Sequence, residues 1–290
     1  MTDGLAGDVS PQPPGNSRPP LSPDIRPRLL AGAVMAAVAL LLAYAGPMPF
    51  AALVMLVALL LCWEWGRVVR SEDMGPALVI HAASVAAAVV LGAIGHAILG
   101  LVALSIGAVL LLAMPFGPRR ILSAAGVFYV GLPALALLWL RSEEPLGLTA
   151  ILFIFAVVWS SDIAAFVAGR TLGGPKLWPR VSPKKTWSGF AGGLAAVATV
   201  GAIFAGAVPG ATLTRLVLVA VLLGLTAQAG DLAESALKRV FGVKDSSTLI
   251  PGHGGVMDRA DSIVAVAVAA AMIALGVDAT APATALLVGR

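Results

Sequence analysis

The stretch GDLAESALKRVFGVKDSSTLIPGHGGVMDRAD, residues 230–261, concentrates charged side chains between two apolar segments. Only 12% of the 290 residues are Asp, Glu, Lys or Arg, so this density requires a chemical explanation. The apolar segments on either side, residues 213–230 and 261–278, are long enough to cross a hydrocarbon core about 30 Å thick. The pattern predicts a polar site held at a membrane surface by transmembrane helices.

The composition as a whole is that of a membrane protein. Hydrophobic residues make up 59% of the chain and its mean hydropathy is +0.96, whereas soluble domains are roughly 45–50% apolar. The formal net charge of +4 is better explained by basic cytoplasmic loops than by nucleic-acid binding. The single cysteine, Cys62, excludes a disulfide framework within the chain and a cysteine-based metal site.

Nine apolar segments predict an all-α, polytopic integral membrane protein: residues 29–46, 49–67, 75–94, 97–114, 121–140, 148–169, 188–208, 213–230 and 261–278. We expect a disordered Pro-rich tail over residues 1–28, scaffold helices over 29–140 and a catalytic region over 141–290 with cytoplasmic loops 170–187 and 231–260. With a cytoplasmic N-terminus, 16 of the 19 basic residues lie on the cytoplasmic side, and Arg141, Arg215 and Arg290 lie outside. The positive-inside rule therefore predicts this orientation in the inner or plasma membrane of the cell.

Two carboxylates lie within apolar segments. Asp162, close to Ser160, is eight residues before Arg170, which places it on the order of 12 Å along the helix at 1.5 Å per residue. A carboxylate at this depth requires a water-filled cavity, a cation or a metal, so we expect either a functional polar cavity or a salt bridge to Arg170 or a loop lysine. Glu64 is only three residues before Arg67, and we expect it to reach the interface or pair locally.

The segment GRTLGGPKLWPRVSPKKTWSG, residues 169–189, is typical of an ordered loop, because its glycines and prolines disfavour a helix. Lys184 and Lys185 suit phosphate oxygens, which backbone N–H groups near glycine can also approach. The alternative is an ordinary positive-inside loop that contacts lipid headgroups through the two lysines and Trp187.

The opening stretch places four polar side chains on one face of a helix that continues from the eighth segment: Asp231, Glu234, Ser235 and Lys238. The glycine-rich turn PGHGG, residues 251–255, allows close backbone approach before Asp258 and Asp261 begin the ninth helix on one face. A helix N-terminus after such a turn binds anions, yet these carboxylates would repel phosphate. The conflict is resolved if Asp231, Asp258 and Asp261 hold a divalent cation such as Mg²⁺, which favours a few carboxylates together with substrate phosphates. Mutual ion pairing of these charges is the alternative.

Two motifs resemble the signature of the integral-membrane phosphatidate cytidylyltransferases, also called CDP-diacylglycerol synthases. They are Ser235-x-Leu237-Lys238-Arg239-x4-Lys244-Asp245 and His253-Gly254-Gly255-x-x-Asp258-Arg259-x-Asp261. The segments Ser160–Gly169 and Ser182–Trp187 are similar to further family segments in the expected order, so that the resemblance covers about residues 120–265. Phe166, Ser188 and Ala260 depart from the common family residues, and none of them removes an expected metal ligand.

The resemblance implies transfer of CMP from CTP to phosphatidate in phospholipid biosynthesis, with Mg²⁺ as cofactor and room for a second cation. It implies catalytic roles for Asp231, Lys238, Lys244, Asp258 and Arg259, and a metal site on Asp231, Asp258 and Asp261. The expected substrate-binding residues are Ser160, Asp162, Lys184, Lys185, Ser235, Arg239, His253, Gly254 and Gly255. The expected partners are CTP and phosphatidate in the bilayer, with a homodimer as an option and no nucleic acid.

Two other functions remain open. One is a related CTP-dependent membrane enzyme that acts on another lipid acceptor. The other is an ion-coupled secondary transporter that uses Asp162 and Asp231, for which charges near the midplane and repeated halves are expected.

Overall fold

The computed structural model describes residues 25–71, 74–114, 119–249 and 254–290. Most of the predicted N-terminal tail and His253 lie outside these residues. The described elements are, in order, α1 Ile25–Ala45, α2 Pro47–Trp65, a π-helical segment Gly66–Arg70, α3 Pro76–Ala93, α4 Ala97–Ala113, α5 Arg120–Ser142, α6 Gly147–Thr171, β1 Lys176–Trp178, β2 Ser182–Thr186, α7 Trp187–Ala207, α8 Leu213–Val240, α9 Met257–Leu275 and α10 Pro282–Leu287.

The helical membrane class predicted from the sequence is confirmed. Within the described ranges, six helices are long and apolar enough to cross a membrane: α2 with its π-helical segment, α3, α5, α6, α7 and α8. Residues Leu30–Ala45 and Ala97–Ala113 form shorter apolar helices, and α9 carries three charged residues in its first two turns. The chain is therefore a multi-pass membrane protein, while the count of nine crossings and the cytoplasmic N-terminus stay predictions.

Small residues allow α6, α7 and α8 to pack closely. A Cβ atom at Gly193 of α7 would meet Ser161 of α6 and Gln228 of α8, and one at Gly201 would meet the backbone at Leu216. Helices in lipid associate through such close backbone contacts, because burying apolar surface gains little there. This packing fixes the relative positions of α6 and α8, which carry Asp162, Asp231 and Lys238 of the predicted site.

Helix α5 lies at the centre of the bundle and connects its two halves. The indole Nε1 of Trp65, at the end of α2, donates to the carbonyl of Leu122 at 3.0 Å. Arg119, just before α5, donates to the carbonyl of Val69 at 2.7 Å and lies over the ring of Phe241, 4.9 Å from its centroid. These contacts tie the end of α2, the start of α5 and the end of α8 together.

The opposite end of the bundle is closed by α10, which the hydropathy pattern did not predict because the helix has only six residues. Glu143 accepts hydrogen bonds from the backbone N–H groups of Ala283 (2.5 Å) and Thr284 (3.1 Å) and thereby caps α10. Arg215 donates to the carbonyl of Ala285 at 2.6 Å, and Arg141 donates to the carbonyl of Ala43 at 3.1 Å.

The segment between α6 and α7, for which the sequence predicts an ordered loop, contains a two-stranded antiparallel hairpin. Lys176 lies opposite Thr186, and Trp178 lies opposite Ser182. The hairpin ends where the Thr186 hydroxyl accepts the backbone N–H of Gly189 at 3.1 Å and caps α7. The register of the two strands shifts between these pairs, and of the two lysines of β2 Lys184 is exposed whereas Lys185 is partly buried.

Candidate active site

The charged residues of the site meet at one end of the bundle, here called the charged end. It consists of the C-terminal ends of α2, α6 and α8, the hairpin, the segment Phe241–Leu249 and the N-terminal turn of α9. The extension of α8 beyond its apolar part, predicted from the spacing of its polar residues, is confirmed by the helix running to Val240. The helices thus bring residues from distant parts of the chain to one polar surface.

Asp258 accepts four hydrogen bonds at the charged end. Its Oδ2 accepts the backbone N–H of Gly255 (2.7 Å), the backbone N–H of Ser246 (3.0 Å) and the Ser246 hydroxyl (3.1 Å). Its Oδ1 accepts Nζ of Lys238. Gly254 adopts a φ of +87°, and a Cβ atom there would meet Oδ2 of Asp258. The backbone around Asp258 is therefore shaped to hold its carboxylate.

These bonds favour the ionised carboxylate. Asp258 lies at the first turn of α9, before the predicted span 261–278. Burial of the carboxyl raises its pKa, but the Lys238 ammonium and the backbone N–H groups of Gly255 and Ser246 outweigh burial, so that the pKa of Asp258 is lowered from its usual value.

Lys238 joins α8 to α9. Besides contacting Asp258, its Nζ lies 3.1 Å from Oε1 of Glu234, an ion-pair distance without hydrogen-bond geometry. The Glu234 carboxylate is buried, and neither of its oxygens has a hydrogen-bond partner among the described residues. Asp261 lies within electrostatic range of Asp231 and Glu234. Lys238 thus contacts the carboxylates of both Glu234 and Asp258.

A second lysine–carboxylate pair joins the hairpin to α8. Nζ of Lys185 lies 2.6 Å from Oδ2 of Asp231, and both side chains are partly buried. The hydroxyl of Ser235 lies 3.4 Å from Oδ1 of the same aspartate. Lys184, its neighbour on β2, is exposed, so the two lysines predicted to bind substrate occupy different environments.

The predicted polar residues of α6 also differ in what they contact. Asp162 is exposed, and it interacts electrostatically with Asp261 and Asp231 and with the cations Lys185 and Arg259. The polar cavity and the pairing with a loop lysine therefore both stay predictions. Arg170, the alternative partner, lies over the ring of Phe166, 5.9 Å from its centroid. The Ser160 hydroxyl donates to the carbonyl of Val157 in its own helix at 3.2 Å.

Other predicted site residues lie at the edge of the charged end. Arg239 and Arg259 are exposed. Lys244, also exposed, lines a cleft of about 380 Å³ together with Arg67, Ser246 and Ser247. Gly255 is buried beside Asp258. His253 lies outside the described residues, and its role stays a prediction.

Glu64 lies in a different environment from the one that the sequence predicts. The expectation that it reaches the interface or pairs locally is wrong, because its side chain is completely buried and contacts residues 182 to 193 positions away. It accepts the hydroxyls of Ser246 (2.9 Å) and Ser247 (2.6 Å) and the backbone N–H groups of Val256 (2.8 Å) and Met257 (2.6 Å). The available signal was a lone carboxylate in an apolar segment, and it pointed to no partner.

The carboxylates suit a divalent cation in their chemistry. Five of them meet here: Asp162, Asp231, Glu234, Asp258 and Asp261. Glu234 already has the Lys238 ammonium 3.1 Å from its Oε1, and further positive charge would stabilise the remaining carboxylates. Among the residues that the structure describes, however, no three His, Cys, Asp or Glu side chains are already grouped as metal ligands. Lys185 and Lys238 occupy Asp231 and Asp258 instead.

Fold and site together define a multi-pass membrane protein with paired lysines and carboxylates at one end of its bundle. The cytidylyltransferase family model matches residues 26–275. The chain therefore belongs to the cytidylyltransferase family, and the match begins well before the residues 120–265 that carried the resemblance.

Proteins named phosphatidate cytidylyltransferase are among the similar sequences. That of Brucella melitensis biotype 1 is 41% identical over 245 residues, 84% of this chain and 91% of the relative. That of Staphylococcus saprophyticus is 45% identical over 139 residues, 48% of this chain and 52% of the relative. That of Bacillus subtilis is 41% identical over 138 residues, 47% and 51% of the two chains.

Proposed function

We propose that this protein transfers CMP from CTP to phosphatidate, forming CDP-diacylglycerol and diphosphate in phospholipid biosynthesis. The observation that carries the proposal is 41% identity to a phosphatidate cytidylyltransferase across 84% of the chain. The charged end is suited to this reaction, because it places lysines and carboxylates at the end of a membrane-spanning bundle. A lipid phosphate can reach such a site from the bilayer and a nucleotide can reach it from water.

The reaction is a substitution at phosphorus. An oxygen of the phosphatidate phosphate forms a bond to the α-phosphorus of CTP, while the bond from that phosphorus to the oxygen bridging to the β-phosphorus breaks. Diphosphate leaves with the electron pair. Because the attacking phosphate is already largely ionised, the protein has little proton transfer to perform, and catalysis depends on positioning and electrostatic stabilisation.

The lysines and arginines have distinct parts in this scheme. Lys185 and Lys238, held beside Asp231 and Asp258, would contact the phosphates closest to the reacting atom. The exposed residues Arg259, Arg239 and Lys244 would attract the triphosphate and the lipid headgroup. Lys184 and Ser235 would assist at the edge, while Ser160 and Asp162 would form the α6 wall of the site. Gly254, Gly255 and His253 would shape the turn before α9.

We propose that Asp231, Asp258 and Asp261 hold Mg²⁺ when CTP is bound, with Asp162 available to a second cation. The metal would neutralise negative charge on the phosphates. Lys238, whose ammonium group donates to Oδ1 of Asp258, would supply further positive charge beside the phosphates. The excess of carboxylates over ammonium groups supports this proposal.

The remaining assignments concern the setting of the reaction. We propose that the charged end faces the cytoplasm, where CTP is available, in the inner or plasma membrane. A homodimer stays a prediction. Asp231 pairs with Lys185 of the hairpin at the charged end, which argues against a secondary transporter, whose coupling sites lie near the midplane.

Product analysis tests the proposed function. Purified protein in lipid vesicles is incubated with CTP, Mg²⁺ and a mixture of phosphatidate, its ether-linked analogue and a polyprenyl phosphate, and the lipids are separated by mass spectrometry. We expect CDP-diacylglycerol, and none when EDTA replaces Mg²⁺. If only another acceptor is cytidylylated, that acceptor and not phosphatidate is the substrate. If no lipid is cytidylylated, the proposal is refuted.

A further inference from the structure

Glu64 lies in α2, far in sequence from the residues assigned to the reaction, yet it contacts the segments that hold Asp258. We propose that Glu64 is a positioning residue for the proposed cytidylyl transfer. It fixes Ser246, Ser247 and the first turn of α9 so that Asp258 and Lys238 meet. The inference rests on the proposed function and adds a residue from the N-terminal half to its machinery.

The geometry around Glu64 requires two acceptor oxygens, one at each branch of its carboxyl group. Each of its oxygens accepts one hydroxyl and one backbone N–H: Oε1 binds Ser247 and Val256, and Oε2 binds Ser246 and Met257. The hydroxyls can rotate to accept a hydrogen bond, but the backbone N–H groups can only donate. A glutamine amide would therefore set its own NH₂ group against the N–H of Val256 or Met257.

Glu64 is coupled to Asp258 through two routes. The Ser246 hydroxyl lies 2.9 Å from Oε2 of Glu64 and 3.1 Å from Oδ2 of Asp258, so one side chain spans both carboxylates. The second route is the backbone, because Met257, which Glu64 binds, directly precedes Asp258. A Cβ atom at Gly255 would run into both Glu64 and the Ser246 hydroxyl, so glycine is needed for this close approach.

A purely structural cap is the competing explanation, because a carboxylate at a helix N-terminus stabilises the helix by binding its unpaired N–H groups. The opposite end of the bundle offers a matched comparison. Glu143 accepts the N–H groups of Ala283 and Thr284 and the Thr284 hydroxyl at the start of α10. The two glutamates share this capping chemistry, but only Glu64 is joined to Asp258.

The experiment compares Glu64→Gln with Glu143→Gln in vesicles, with rates expressed per folded protein from size-exclusion chromatography. We expect Glu64→Gln to raise the KM for CTP at least fivefold and to lower kcat/KM at least tenfold. We expect Glu143→Gln to lower the thermal midpoint while KM and kcat stay within twofold of the wild type. A structural cap alone would change the folded fraction without changing KM.

Ser247→Ala provides an independent variant, since it removes one hydrogen bond to Glu64 and leaves every bond to Asp258 intact. It should raise the KM for CTP in the same direction by a smaller factor, and it decides the matter if Glu64→Gln does not fold. A KM within twofold of wild type in every folded variant of the pair would overturn the inference. Absence of cytidylylated lipid with the wild-type protein would instead refute the proposed function.

Discussion

Lys184 and Lys185 are adjacent in sequence but differ in what they contact. Lys185 pairs with Asp231 at 2.6 Å, whereas Lys184 is exposed. We expect Lys185→Met to lower kcat/KM for CTP by at least about tenfold, in line with the roughly 1.5–3 kcal/mol that a hydrogen bond to a charged group contributes. Lys184→Met should cause a smaller loss. The measurement is CDP-lipid formation at varied CTP, and equal losses for the two variants would contradict the distinct roles.

Asp258 gives the second prediction at the scale of the residue. Asp258→Asn retains the side-chain shape but offers one acceptor oxygen. In the wild type, donors bind both carboxylate oxygens of Asp258. We expect kcat/KM to fall on the order of 100-fold, as when an enzyme loses one key electrostatic contact. Asp278→Asn, which changes a carboxylate that accepts the N–H of Thr280 on the other side of α9, is the control. Near wild-type, Mg²⁺-dependent turnover of Asp258→Asn would exclude Asp258 from the metal site.

The sequence identified these residues with different success, for physical reasons. Charge is rare in this chain, and helical spacing places Asp231 and Lys238 on one face of α8, so the sequence predicts these two together with Asp258 at the start of α9. Glu64 was misjudged because its partners are more than 180 residues away, and helical periodicity carries information over only a few turns. Lys185 could not be separated from Lys184 without the tertiary contact between the hairpin and Asp231 of α8.

At the scale of the element, Gly254 lies in a constrained position just before α9. Gly254 adopts a φ of +87° beside Oδ2 of Asp258, whereas Gly242, after α8, adopts a φ of +69° in open space. Gly254→Ala and Gly242→Ala should each cost roughly 1–2 kcal/mol of stability from backbone strain. Only Gly254→Ala should also reduce activity, at least about tenfold per folded protein, because its Cβ displaces Asp258.

Thermal denaturation and turnover of the two variants separate these effects. Equal loss of activity in both variants would show that backbone strain alone is responsible and that the contact with Asp258 is unimportant.

Hydropathy predicted the long elements and missed the short ones. The apolar segments coincide with helices because a backbone in lipid must satisfy its hydrogen bonds internally. The hairpin strands, of three and five residues, and the six-residue α10 are too short for a periodicity to identify. Their positions depend on tertiary contacts, such as Glu143 with α10.

At the scale of the whole molecule, the two ends of the bundle have opposite roles. The charged end gathers carboxylates and lysines around Asp258. The other end uses its charged residues to hold backbone groups, as Arg141 does with Ala43 and Arg215 does with Ala285. This division agrees with the predicted cytoplasmic orientation of the charged end, and it makes the membrane topology the natural test at this scale.

Cysteine labelling tests the predicted orientation and the crossing by α9. Cys62, the single native cysteine, is buried, and Cys62→Ala provides the background for Ser142→Cys, Lys176→Cys and Thr280→Cys, all at exposed positions. A membrane-impermeant maleimide should label the first and third in intact spheroplasts, and Lys176→Cys only after permeabilisation. The reverse pattern would invert the orientation. Thr280→Cys reacting together with Lys176→Cys would show that α9 does not cross the membrane, because α7, α8 and α9 separate these two positions and an even number of crossings leaves both on one side.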